Sequence, residues 1–162
     1  MKSTSLTLAF LFIFCLSSFN NKIQDNFFTV GNNRYSLSYS EIANESYNIK
    51  SKFEVDLMTK DEDLAKAETY VYFSLTSNNT AMLSNGIYQF SSGSLNDRLP
   101  FHFNGSVKIN YHVVEITGGS ISIENRSQEY DIHFILKLEN GDIAKGMYRG
   151  KASEVDRSKA YK

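Results

Sequence analysis

The chain alternates. Tyr130, Ile132, Phe134, Leu136 and Leu138 take every second position, with Asp131, His133, Ile135 and Lys137 between them. Successive side chains of a strand point to opposite faces, so this period-two pattern predicts a strand with one apolar face and one mostly polar face. Phe53, Val55 and Leu57 alternate in the same way with Lys52, Glu54 and Asp56, and Val71, Phe73 and Leu75 alternate with Tyr70 and Tyr72. Tyr35, Leu37 and Tyr39 are set against Ser36, Ser38 and Ser40, and Ile121 and Ile123 against Ser120, Ser122 and Glu124. Phe101–Phe103 and then Ser106–Ile116 read as one or two further strands, and in the second Val107, Ile109, Tyr111 and Val113 oppose Lys108, Asn110 and His112. Phe27–Val30, Ile87–Phe90 and Phe101–Phe103 are shorter apolar runs.

Turn residues punctuate these runs. Gly31-Asn32-Asn33, Asn85-Gly86 and Asn125–Gln128 are turn-forming by composition, and Ser91–Pro100 is the longest loop-like segment. The one helix-like stretch, Asp61–Glu68, is two turns at most and reads equally as a hairpin loop. Strands at hairpin spacing without an amphipathic helix predict an all-β fold, an antiparallel β-sandwich of about nine strands, with an up-and-down, lipocalin-like barrel as the alternative.

Asn140-Gly141 is a favoured pair for a two-residue type I′ hairpin. That register sets Leu138 opposite Ile143 and Phe134 opposite Met147, apolar on apolar, and it is the one expected. It also sets Glu139 opposite Asp142, a mildly repulsive pair. A three-residue loop would instead turn Ala144, Gly146 and Tyr148 inward.

Composition adds a compartment. Lys2 followed by the eleven-residue apolar run Leu6–Leu16 and the polar exit Ser17-Ser18 is the pattern of a secretory signal peptide, too short to span a bilayer comfortably. The expected organisation is a signal peptide over 1–18, a lead-in over 19–26, a β-sandwich domain over 27–152 and a charged, flexible tail over 153–162. Cys15 is the chain's one cysteine, and the bulky Phe14 before it argues against a lipid anchor there. Cleavage after Ser18 leaves a chain without disulfides. The formal net charge of −1 and the absence of a basic stripe argue against a nucleic-acid partner.

Gly119-Ser120-Ile121-Ser122-Ile123, Tyr130-Asp131-Ile132-His133-Phe134, Leu138-Glu139-Asn140-Gly141 and Gly146-Met147-Tyr148-Arg149-Gly150 follow one another. This segment resembles the C-terminal meander of small secreted β-sandwich proteins of Bacteroidetes, many of them lipoproteins with no assigned function. Asn85-Gly86-Ile87-Tyr88-Gln89-Phe90 is similar to an upstream strand of the same group. The resemblance implies a sandwich and a secreted or envelope location, periplasmic or outer-membrane associated. It carries no functional residues, and the missing small residue before Cys15 departs from the group.

Candidate chemistry is sparse. His102, His112 and His133 sit on polar strand faces, and His112, His133 and Asp131 would converge on a metal only if their strands were neighbours. No H-x-H or H-E-x-x-H spacing and no G-x-S-x-G elbow occurs, and Asp61, Glu62, Asp63 and Glu68 cluster in a loop. The chain is therefore expected to hold no catalytic residues, metal site or cofactor. Four N-x-[ST] triplets, at Asn44, Asn78, Asn104 and Asn125, bear on function only in a eukaryotic host. Tyr70 and Tyr72 share one strand face and, if exposed, would stack on a sugar ring. The expected function is that of an exported, non-catalytic binding or structural component of the cell envelope, partnered by a glycan or another envelope protein. The alternative is a lipocalin-like barrel holding a small apolar ligand, which the absence of Trp disfavours.

Overall fold

The computed structural model describes residues 26–161 except positions 49, 61, 62, 64, 95, 96 and 128, so the signal-peptide and Cys15 readings lie outside the described residues. Eleven strands follow in order: β1 (Phe27–Val30), β2 (Asn33–Ser36), β3 (Tyr39–Asn44), β4 (Lys52–Met58), β5 (Tyr70–Thr76), β6 (Gly86–Phe90), β7 (His102–Ile109), β8 (His112–Arg126), β9 (Glu129–Leu138), β10 (Ile143–Lys151) and β11 (Ser153–Asp156). All belong to one hydrogen-bonded sheet in the order β11-β3-β4-β5-β7-β6-β8-β9-β10-β1-β2. Most pairs are antiparallel; β11 runs parallel to β3, and β6 parallel to β7. Among the described residues there is no α-helix, and the remnant of the helix-like stretch is a turn in which the Lys66 and Ala67 amides donate to the Asp63 carbonyl.

Over the described residues the chain is thus all-β, with eleven strands rather than about nine, in one sheet rather than two. The sheet curls over on itself. Phe73 on β5 and Phe134 on β9 meet edge to face with centroids 5.5 Å apart, although β7, β6 and β8 separate their strands in the ladder. Val55, Leu57 and Leu75 from one half and Phe28, Ile132 and Leu136 from the other are fully buried between the halves. Each such side chain stabilises the fold by about 1.5–3 kcal/mol over an exposed one. The curl does not close into a barrel by hydrogen bonds. The chain itself links one ladder end to the strand next to the other, since β2 runs on into β3 across Leu37-Ser38, whose amides donate to the Asn26 and Met58 carbonyls.

β8 makes the corner. Its first residues pair with β7; from Ile116 onward, across a register shift at Ile116–Gly118, it pairs with β9 on one edge, and from Ser120 with β6 on the other. Gly119 sits at the bend with φ +115°, and a Cβ there would lie 2.1 Å from the Ile135 carbonyl oxygen, so neither backbone nor space admits a side chain.

Two hairpins correct the expected registers. Between β9 and β10 the loop is the three-residue one. The Gly141 amide donates to the Leu138 carbonyl, Gly141 has φ +88°, and Phe134 faces Gly146 instead of Met147. Ala144 and Tyr148 are therefore buried and Ile143 is exposed. The interior explains the choice: a Cβ on Gly146 would stand 2.3 Å from the Phe134 ring and 2.6 Å from the Phe28 Cβ, so only glycine leaves room for both rings. The two-residue turn with positive φ at both positions occurs elsewhere, at Asn110 (φ 49°) and Tyr111 (φ 67°). It splits the Ser106–Ile116 run into β7 and β8 and leaves Tyr111 and Val113 exposed rather than in the core.

The stretch expected to fray supplies β11. Its four residues are too few to show a period, and its parallel ladder to β3 joins residues more than a hundred positions apart.

Candidate functional site

The end of the sheet where β3, β4, β9 and β11 converge holds a cleft of about 900 Å3. Ile42, Phe53, Leu83 and Tyr130 line its floor, each almost wholly buried. Met82, more than half exposed, stands at its mouth. The rim is polar, formed by Asn44, Asn85, Asn125, Ser127, Glu154 and Asp156, with no lysine or arginine among the described residues that line it.

Local hydrogen bonds hold this wall. The Ser77 hydroxyl accepts the Ser84 amide at 3.0 Å, and Asn79 Oδ1 accepts the Ala81 amide at 2.8 Å. The buried Tyr88 hydroxyl donates to the Ser84 carbonyl at 2.8 Å, tying the 81–85 loop to β6. Asn85 Oδ1 accepts the Asn125 amide at 2.7 Å, and Asn44 Nδ2 donates to the Thr80 carbonyl at 2.9 Å. These amides brace the rim. The carboxylates of Glu154 and Asp156 are exposed. Tyr130 donates to Glu154 Oε1 at 2.8 Å. Burial, and then Glu154 itself, push the Tyr130 phenol well above its ordinary range, so it stays a donor. Asp156 accepts the Ser158 hydroxyl and amide, which hold its carboxyl below the usual range. Lys159 Nζ lies 3.6 Å from Asp156 Oδ2, so the cleft has an apolar floor under an acceptor-rich rim in which Asp156 is already paired.

β11 carries that rim and is fastened behind it by Arg157. The guanidinium lies 2.7 Å from Glu41, 3.2 Å from Glu45 and 3.6 Å from Glu54, on the outer face of β3 and β4. Glu54 also accepts Lys52 Nζ at 2.7 Å and the Tyr72 hydroxyl at 3.0 Å. Asp56, set between Glu41 and Tyr72 in the ladder, is buried, and its Oδ1 has no hydrogen-bond partner in the protein. Burial, then the nearby Glu54 and Glu41, push its carboxyl up to about 7, with Arg157 pulling the other way.

Tyr70 and Tyr72 do share one face, opposite the buried Val71, Phe73 and Leu75. They are partly buried there: Tyr72 is tied to Glu54, and Lys108 Nζ lies 5.4 Å from the Tyr70 ring centroid. The Ser91–Pro100 loop lies over the same face and is anchored by Arg98. Its guanidinium donates to the Ser74 carbonyl at 2.6 Å, the Ser74 hydroxyl at 3.1 Å and Asn104 Oδ1 at 3.1 Å.

The histidines do not converge. His133 stands opposite Ser122, ten residues along β8 from His112, or about 30 Å of strand. His133 Nε2 is 2.7 Å from Asp131 Oδ1, and Arg149 pairs with Asp131 Oδ2. His102 Nδ1 donates to the Leu99 and Pro100 carbonyls. Among the described residues no three His, Cys, Asp or Glu side chains are grouped to hold a metal; Asp61 and Glu62 lie outside them.

Sequence reasoning passed over the cleft. Tyr130 carries the pattern of any core strand residue, Asn125 reads as a turn, and Glu154 and Asp156 lie in an aperiodic stretch. The one available signal was the density of Asn and Ser at 77–85, unusual between two strands only in hindsight of its side-chain bonds to the backbone. Comparison of the chain with protein-family models, with curated proteins and with solved structures finds no match to any of them.

Proposed function

We propose that the protein is an exported, non-catalytic binding module at or outside the cell envelope. Its ligand is a small amphiphile seated in the end cleft, with a head group that donates hydrogen bonds or carries positive charge. The observation that carries this reading is the pairing of an apolar floor with a rim of carboxylates and amides, in which Glu154 is bonded, among the described residues, only to the Tyr130 hydroxyl. Packing of the two halves of the curled sheet across one core supports a sandwich-like description, with the cleft at the open end between the halves.

Three ten-carbon probes test it by titration calorimetry below their micellar range: decyltrimethylammonium, decyl maltoside and decanoate. The ammonium or the maltoside binds one per chain, decanoate binds at least tenfold more weakly, and Glu154→Gln removes about 1.4 kcal/mol of the ammonium's affinity. Equal binding of decanoate, or binding indifferent to Glu154→Gln, overturns the reading.

A glycan stacked on Tyr70 and Tyr72 is the second reading, favoured by their common face on β5. A soluble-glycan pull-down unchanged in the Tyr70→Ala, Tyr72→Ala variant removes it.

A further inference from the structure

The outer face of β6, β8, β9, β10 and β1 is unlike the rest of the surface. Its cross-strand row Ile87–Ser122–His133–Met147–Phe27 lies beside the row Gln89–Ser120–Ile135–Lys145–Thr29. Ser120 and Ser122 are short and Ile87 and Ile135 stand on either side of them, so a furrow of about 570 Å3 runs over β8 and β9. Ile87 is 61 % exposed, Ile135 54 % and Ile143 39 %. Branched aliphatics this exposed, grouped on one convex sheet face, mark an interaction surface rather than scattered surface residues.

Charge narrows the partner. Lys145 has Ile135 and Thr29 as its cross-strand neighbours, and Lys137 has Ile143 and Gly118, so neither faces a carboxylate across the ladder. Further along β8 and β9, Asp131 is paired with Arg149 and His133 and Glu124 with Arg126, and Glu129 stands opposite Arg126 and Lys151 in the ladder. The carboxylates of the opposite outer face, Glu41, Glu45 and Glu54, are each paired with Arg157. Exposed isoleucines interspersed with lysines match an anionic lipid surface, where apolar side chains enter the interfacial layer and ammonium groups meet the head groups.

We propose that this face docks the protein on an anionic membrane surface, with Ile87, Ile135 and Ile143 entering the interface and Lys137 and Lys145 set against lipid phosphates. Docking in this way leaves the end cleft, at the margin of the sheet, open to solvent. The inference stands without the cleft's ligand, and the two fail separately because the vesicle test does not involve the cleft.

Sedimentation of the full chain with phosphatidylglycerol–phosphatidylcholine vesicles tests it, beside vesicles of phosphatidylcholine alone. The protein sediments with the anionic vesicles at low salt, is released as sodium chloride rises, and stays in solution with the neutral ones. Ile87→Ser plus Ile135→Ser lowers the bound fraction roughly tenfold, and Lys137→Glu plus Lys145→Glu does the same through charge, two independent routes to one loss. Circular dichroism of both variants matches the parent, since all four side chains are exposed. Failure to bind anionic vesicles, equal binding to neutral ones, or binding unchanged in the isoleucine variant overturns the proposal. So does a dimer in sedimentation velocity that the isoleucine variant dissociates, which would assign the face to a second copy of the chain.

Discussion

The two outer faces of the curled sheet begin from the same strand alternation and end as opposites. Over β4 and β5 the outward residues include Asp56 and Ser74, and both are buried, as are Ser106 and Lys108 on β7. Arg98, reaching in from its loop, is buried with them. Over β9 and β10 the outward residues include His133, Ile135, Lys137, Ile143 and Lys145, which are exposed. On one side the chain's own loops have made a second, polar interior, where each group needs a partner. On the other the sheet is bare, and apolar side chains stand in water. A polar residue on a strand's outer face is therefore no guide to exposure, nor is an apolar one to burial.

Breaking the covered face gives the largest effect. Arg98→Ala removes three hydrogen bonds and strands the Ser74 and Asn104 side chains under the loop. A cost of about 2–4 kcal/mol is expected, read from the urea midpoint. Asp56→Asn acts next and in the other direction. The carboxyl titrates near 7 in the folded protein against an ordinary value of 3.8, so the folded state holds its proton more tightly than the unfolded chain. Below the ordinary value Asp56 is neutral in both states and costs nothing. As pH rises from there through 7 the folded protein loses stability, and above 7 the full penalty stands. Asp56→Asn is then expected to stabilise the protein by about 1–3 kcal/mol at pH 8 and to have little effect at acid pH, measured by denaturation at both.

Arg157→Gln sharpens the comparison at its margin, where the covered face meets the cleft. Loss of the pairs to Glu41 and Glu45 is expected to cost about 1 kcal/mol or less, because the guanidinium is partly exposed. Hydrogen exchange should show it selectively: faster amides in β11, unchanged ones in β9. The smallest effect belongs to the bare face. Ile135→Ser is expected to shift stability by no more than about 0.5 kcal/mol in denaturant melts, since that side chain is already in water.

Much of the scaffold was legible. The inward faces of Lys52–Leu57, Thr69–Thr76 and Tyr130–Leu138 follow from alternation, and Phe53, Val55, Phe73, Ile132 and Phe134 are buried as that pattern requires. The β9–β10 register was not legible, because Asn140-Gly141 suits either loop length and the deciding fact is the room that Gly146 leaves beside Phe28 and Phe134. Nor was the break at Asn110-Tyr111: Tyr is a rare residue at positive φ, and it sits in a run that alternates without interruption. Of the candidate site, its floor residues were visible only as core and its rim only as turns and tail.

What the sequence by itself determined is local: which segments are strands, and which side of each is apolar, since a period of two needs only neighbours along the chain. The tertiary structure decided whatever depends on segments distant in sequence. It brought β11 beside β3, setting Glu154 over Tyr130 and Arg157 among Glu41, Glu45 and Glu54. It closed a covering over Asp56 and left Ile87 and Ile135 uncovered. Burial and charge environment are sums over everything nearby in space, and alternation along a strand carries no information about what will lie on top of it.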